Sequence, residues 1–432
     1  MLVLVLVLGI WASTFTRTAW QTTARALSMT RSIRMDQPLD RRATLRRFAL
    51  PAVVCAGLLL ACYLRTAEGT AHPSPWGYRL WSFGALTYSD ILALHEDRGA
   101  GRHAFPYLQD KVEYPVLMGL AMWWPSAVAP SRAGYFAVTF AMLALCALGT
   151  LWALAALPGA LPWVWAASPA LLVYGALNWD LVAIFPLALG LLLWAGQRDR
   201  AAVVVLSLAV WTKFFPLLVL GIVLLTALRK SLRHALALGG IFLAVTLLVN
   251  LPFAIVAPEQ WSWFFVYNRI REIEPSLYLL FGKDPRGFVT AANTISAAVT
   301  LASAAALAVL EWRTRRLDLL RASCALVCLF FVANKVFSPQ YWLWVVALIA
   351  LASLPGWICG AVSTVALFDF VISFSRLHIQ GDRAWGLAAW FDRSVFFPMV
   401  AVRYLALSAC AAWAFAHVVQ KGQDIRTSYV RD

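Results

Sequence analysis

Apolar runs recur through nearly the whole 432-residue chain, separated only by short charged intervals. No polar stretch between them is long enough to fold as a separate soluble domain. Backbone polar groups in hydrocarbon are satisfied only by helices or closed barrels. The runs have the length of membrane helices, so the expected fold is a single all-α polytopic bundle. Composition agrees, with 62% hydrophobic and 13% charged residues and a mean hydropathy of +0.73, unlike any soluble domain of this size. A net charge of +15 would point to nucleic acid in a soluble protein. Here the arginines sit mostly in short loops, as the positive-inside rule requires, and no nucleic-acid motif is present.

The chain divides into a basic N-terminal segment (1–47), one transmembrane domain (48–418) and a short tail (419–432). MLVLVLVLGIWA is too short to span and lacks the basic flank of a signal peptide. Met35 is an alternative start, and residues 1–34 are left unassigned. The seven cysteines, Cys55, Cys62, Cys146, Cys324, Cys328, Cys359 and Cys410, all fall in apolar segments. They read as small core residues, with neither a disulfide framework nor zinc spacing.

Arginine clusters set the threading. Arg41, Arg42, Arg46 and Arg47 precede the first span, and QRDR (197–200), LRKSLRH (228–234), EWRTRRLDLLR (311–321) and the tail after Lys421 follow. All should be cytoplasmic. Only 27 residues separate QRDR from LRKSLRH, so two short helices broken at TKFFP, not one span, keep both ends on one side. The same logic puts breaks at NWD (178–180) and NKVFSPQ (334–340). About twelve segments result: 48–64, 134–156, 163–177, 181–196, 201–212, 217–227, 235–255, 288–310, 322–334, 341–353, 357–375 and 394–417. Both termini lie inside. The first loop (65–133), the three breaks and the loops at 256–287 and 376–393 lie outside. The helices flanking TKFFP and NKVFSPQ cover only about 16–20 Å, less than the hydrocarbon thickness. Their breaks should therefore lie below the outer surface, facing a cavity.

In the first loop, Tyr88-Ser89-Asp90 opens a helix, so Asp90 reads either as an N-cap or as a general base at the membrane surface. His95, Glu96, Asp97 and Arg98 read as a solvated face. Glu113-Tyr114-Pro115 leads into VLMGLAMWW, an interfacial helix, with Pro115 in its first turn. Glu113 divides between capping and substrate binding.

Taken in order, YSDILAL, VEYPVL, ALNWD, TKFFPLL and NKVFSPQYWLW resemble the C-type superfamily of integral-membrane glycosyltransferases, over roughly residues 48–418. More narrowly they are similar to glycosyltransferase family 87, which includes polyprenyl-phosphate-mannose-dependent α-mannosyltransferases of actinobacteria. The resemblance implies a GT-C-like bundle and sugar transfer outside the membrane. The donor would be a polyprenyl-phosphate sugar, the acceptor a glycolipid or cell-envelope glycan, and the catalytic aspartate Asp90. Family patterns often carry Tyr-Pro-Pro where this chain has Tyr114-Pro115-Val116, a departure that leaves the subgroup open, with mannose as the sugar the resemblance favours.

Such a reaction needs a groove for the lipid, a cation for the phosphate and a carboxylate for the acceptor hydroxyl. Lys213 and Lys335 are candidate phosphate binders, with Arg269 and Arg271 as a second pair. The plainer readings are that Lys213 snorkels or pairs with Asp180, and that the two arginines pair with Glu272 and Glu274. Asn178 and Asp180 either cap the next helix or bind sugar. Gln340 and Tyr341 either bind hydroxyls or belong to an interfacial belt. His378 is a lone histidine in the last outer loop, and Asp369 and Arg403 are expected to pair. No cofactor is expected, and the phosphate leaving group does not strictly require a metal. The competing readings are a secondary transporter or lipid-linked sugar flippase, an arabinosyltransferase using polyprenyl-phosphate-arabinose, and a non-catalytic scaffold.

Overall fold

The computed structural model describes residues 41–72, 75–97, 104–280, 288–382 and 384–419. The apolar start, most of the basic N-terminal segment, Arg98 and the tail after Lys421 lie outside these residues. Among the described residues every regular element is helical and no strand forms.

The chain opens with α1 (Arg41–Ala67). The first loop then carries α2 (Pro75–Gly84), α3 (Asp90–Asp97) and α4 (Val116–Val128). Next come α5 (Arg132–Ala156), α6 (Pro162–Ala166), α7 (Pro169–Tyr174), α8 (Leu181–Ala195), α9 (Asp199–Thr212) and α10 (Pro216–Ala227). They are followed by α11 (Leu232–Val256), α12 (Pro258–Ile270), α13 (Val289–Thr314), α14 (Leu319–Ala333) and α15 (Tyr341–Leu351). The last elements are α16 (Gly356–Gly381), α17 (Trp385–Phe391) and α18 (Phe397–Ala416).

Local chemistry sets many boundaries. Proline begins α6, α7, α10 and α12, where its missing N–H removes no helical bond. Ser131, Ser231 and Asp318 accept from the backbone N–H three residues on and cap α5, α11 and α14. Gly159 has φ 82° in the turn before α6, a conformation that suits glycine.

Among the described residues, six helical stretches are long and apolar enough to cross a membrane: Arg41–Ala71, Arg132–Ala156, Leu232–Val256, Val289–Thr314, Gly356–Gly381 and Trp385–Ala416. The long and short helices are distributed inside out. Of the 25 residues of α11 only Leu238 and Asn250 are buried. In the 11-residue α15 every residue is buried, packed among α14, α16 and the short helices α6, α7 and α8. An aqueous protein would not leave Leu243, Leu247, Leu248, Leu251 and Ile255 bare along one helix; lipid is the solvent that permits it. Broken backbone sits inside, shielded by the unbroken helices.

The basic clusters at 197–200, 228–234 and 311–321 meet one another, and the first cluster anchors the turn at 157–160. Arg229 makes a two-pronged pair with Glu311 at 2.6 Å and donates to the Leu317 carbonyl at 2.8 Å. Lys230 and His234 both reach Asp199, at 2.6 and 2.8 Å. Arg47 donates to the carbonyls of Leu157 and Ala160.

Three expectations change. The segment at 163–177 is two short helices, because Pro169 starts a new one after Ser168. The loop at 256–287 contains α12, whose start Pro258 permits. His95 is not on a solvated face: it is 3% exposed and its ring lies 4.7 Å from that of Tyr135.

Candidate functional site

The Asp90 carboxylate is placed by a short stretch of loop fastened to a distant one. Ser89 Oγ donates to the Ala176 carbonyl at 2.5 Å, and the Asp90 N–H donates to the Leu177 carbonyl at 2.7 Å. Ser89 Oγ also accepts from the Ile91 N–H, so serine serves the start of α3 and Asp90 is not its cap. Asp90 is left free to turn elsewhere. Its Oδ1 accepts from the Tyr88 hydroxyl at 2.9 Å and its Oδ2 from Asn178 Nδ2 at 2.8 Å.

Asn178 spends its other amide hydrogen on the Tyr114 hydroxyl at 3.0 Å, while its Oδ1 accepts from the Trp179 N–H. Asn178 therefore joins the first loop to the break before α8 and does not cap that helix. Asp180 makes no capping bond either. It lies 2.9 Å from Lys213 Nζ and accepts from Trp344 Nε1 at 2.6 Å. The Lys213 ammonium stands 5.3 Å from the Tyr114 ring centre and 5.4 Å from that of Tyr341. The TKFFP break is packed: the Phe215 ring lies within 5.5 Å of the rings of Phe331, Tyr341 and Trp344.

These residues border a cavity of about 450 Å³, within the range of small-molecule sites. Asp90, Glu113, Tyr114, Lys213, Arg271, Gln340 and Tyr341 all line it. Asn178 and Asp180 lie one bond behind that wall. Arg271 is held bidentately by Glu274 at 2.6 Å. Burial pushes Asp90 above the ordinary carboxylate range, while the bonds from Asn178 and Tyr88 and the Lys213 charge pull it back.

Other expected site residues sit elsewhere. Lys335 is buried off the cavity wall and donates to the Arg269 carbonyl at 3.1 Å. Burial, with the nearby Arg271 charge, lowers its pKa to about 8. Arg269 is exposed, and its carbonyl also accepts from Asn293. His378 packs against Gly84 and lies 3.4 Å from Asp382, while its neighbour Leu377 takes the place on the cavity wall. Asp369 and Arg403 form the expected buried pair, to which Trp342 Nε1 donates at 2.7 Å.

Arg376 lines the cavity without having stood out in the sequence, and Tyr88 and Glu274, read there only as a helix opening and as a partner for arginine, line it too. Arg376 had a signal: it is an arginine near the end of the apolar run of α16.

Comparison with family models, with curated proteins and with solved structures finds no match in any of the three.

Proposed function

We propose that the chain is a membrane glycosyltransferase that moves a sugar from a polyprenyl-phosphate donor to a glycolipid or glycan acceptor on the outer side of the membrane. Mannose is the sugar the resemblance favours. One observation carries the reading. Asp90, oriented by Tyr88 and Asn178, faces the same cavity as Lys213 and Arg271.

The position of the cavity suits a lipid-borne substrate. α15 starts at the wall, at Tyr341, and runs to the turn where Ser353 meets Gly159. Eleven residues cover about 16 Å, roughly half the hydrocarbon thickness. With the gathered basic clusters on the cytoplasmic side, the cavity opens outward below the outer surface, in a GT-C-like bundle of about twelve segments with both termini inside.

In this reading Asp90 takes the proton of the acceptor hydroxyl as that oxygen attacks the anomeric carbon. The phosphate departs toward Lys213 and Arg271, whose charge offsets the charge that develops on it. Both cations are already paired, with Asp180 and Glu274, so the site does not hold a bare positive charge waiting for an anion. The arriving phosphate shares them, and part of its attraction is spent in loosening those pairs.

The test uses purified protein, polyprenyl-phosphate-mannose and membrane glycolipid acceptors. Wild type transfers the sugar, and Asp90→Asn loses the transfer. Undiminished transfer by the variant removes Asp90 as base. No transfer from mannose or arabinose donors, together with solute uptake into liposomes, replaces the enzyme with a transporter.

A further inference from the structure

One wall of the cavity has no part in the chemistry just described. It comprises Ser373, Phe374, Arg376 and Leu377 of α16, together with Phe396. Phe396 ends a single π-helical turn, Asp392–Phe396, between α17 and α18. Such turns insert an extra residue into a helix and recur at functional sites. This one brings two groups to the same guanidinium. Asp392 accepts from Arg376 Nε at 2.6 Å and from Nη2 at 3.1 Å. The Phe396 ring centre lies 4.3 Å from Arg376 Cζ. Nη1 has no partner among the described residues, so the group is fixed on two sides and keeps one edge for the cavity it lines.

Contacts also order the walls around Asp90. Its Oδ1 accepts from Tyr88, whose ring lies 5.5 Å from that of Phe374, two residues before Arg376. Its Oδ2 accepts from Asn178, which leads through Tyr114 to Lys213. On the glycosyltransferase reading, on which this inference rests, these are the two sides of an inverting displacement. The hydroxyl attacks one face of the sugar while the phosphate leaves from the other. The base must stand within hydrogen-bond reach of that hydroxyl. With the phosphate toward Lys213 and Arg271, the acceptor comes from the wall of Phe374 and Arg376.

We infer that Arg376, held by Asp392 and Phe396, binds the acceptor, and that the part it binds is an uncharged, hydroxyl-bearing sugar. Charge decides the second point. Asp392 already neutralises Arg376, and Asp90 and Glu113 add carboxylates to the cavity wall. Lys213 and Arg271 are paired as well, but the phosphate meets both of them, whereas this wall offers the single cation Arg376 beside the Asp90 carboxylate, so an anionic group here would meet more repulsion than attraction. A hydroxyl instead accepts from Nη1, and Phe374 and Phe396 offer apolar surface to the ring. The step balances. The acceptor proton goes to Asp90, the acceptor oxygen bonds to the anomeric carbon, and the bond to phosphate oxygen breaks with its electron pair leaving on the phosphate.

The experiment varies donor and acceptor separately, with polyprenyl-phosphate-mannose as donor and octyl mannoside as acceptor. Losing a charge-assisted hydrogen bond in Arg376→Ala raises the acceptor KM about tenfold or more, with the donor KM held within about twofold. Arg271→Ala shifts the donor KM instead. If Arg376→Ala does not fold, Arg376→Gln keeps an amide donor and gives an intermediate acceptor KM. Wild type prefers octyl mannoside to its 6-phosphate; the opposite preference overturns the uncharged acceptor. A donor-side shift in the Arg376 variants, or an unchanged acceptor KM while wild type transfers sugar, overturns the role of Arg376 alone. No transfer by wild type overturns the inference together with the reading beneath it.

Discussion

The Lys213 ammonium lies 2.9 Å from an Asp180 carboxylate oxygen, and each residue belongs to a different break between short helices. The Asp180 side chain is wholly buried and that of Lys213 is 9% exposed, so water screens the pair little. The lysine that looks out of place in WTKFFP is thus half of a clamp joining the start of α8 to the end of α9.

The clamp predicts a strongly coupled pair. Lys213→Met leaves a buried carboxylate uncompensated and destabilises the fold by about 3–5 kcal/mol. Lys213→Met combined with Asp180→Asn, which keeps an acceptor for Trp344, recovers most of that loss. Thermal unfolding in detergent micelles of both single variants and the double variant measures the coupling. Additive losses would show that the two side chains do not depend on each other.

Asp90 predicts the acid side of the pH profile. A general base works only when deprotonated, so transfer is full above its pKa in the folded protein and declines as pH falls through that value. Burial raises that pKa, and the bond from Asn178 opposes the rise. Asn178→Ala removes the opposing bond, so the acid limb moves to higher pH and activity at neutral pH falls. Asp90→Asn abolishes the limb and costs about 10²–10⁴ in rate. The profile of kcat/KM for wild type and Asn178→Ala decides the matter; superimposed limbs would exclude Asp90 as the titrating group.

Gly119 predicts a route from packing to the site. A Cβ at this position of α4 would run into the Tyr107 hydroxyl. That hydroxyl lies 2.9 and 2.7 Å from the carbonyls of Tyr114 and Pro115, which share its single hydrogen, and so fixes the residue that meets Asn178. Gly119→Ala therefore costs about 1–3 kcal/mol as overpacking and lowers transfer through displaced Tyr114. Gly57 is the control, because a Cβ there would meet open space, and Gly57→Ala leaves both stability and transfer near wild type.

The breaks were legible because two independent constraints met at each. α9 ends at Thr212 and α10 begins at Pro216, where proline and the charge count on either side both demand an interruption. α14 ends at Ala333 and α15 starts at Tyr341 around NKVFSPQ for the same reasons. Which break residues reach the cavity was not legible. Lys213 and Lys335 occupy similar sequence settings, yet one faces the cavity and the other lies behind it on the Arg269 carbonyl. That difference comes from α12, a polar and aromatic segment with no clear apolar period. Arg376 and Asp392 escaped because their pairing runs across the turn between two helices and depends on a π turn, for which sixteen residues of spacing give no local signal.

The convergence of basic clusters predicts which surface faces which compartment. Gln197 and Arg316 are exposed at the end where Arg229 meets Glu311. Leu108 and Glu272 are exposed at the end that carries the cavity loops. The native cysteines are buried, except for half-buried Cys146, so the background to thiol labelling is low. Single cysteines at the four positions, probed with a membrane-impermeant maleimide on intact cells, should divide into two classes. Leu108→Cys and Glu272→Cys label directly, whereas Gln197→Cys and Arg316→Cys label only after permeabilisation. The reverse division would turn the bundle over and place Asp90 in the cytoplasm, where a polyprenyl-phosphate donor presented in the outer leaflet does not reach it. A mixed division within either pair would break the threading itself, because α9 and α10 could then no longer return the chain to the side on which it started.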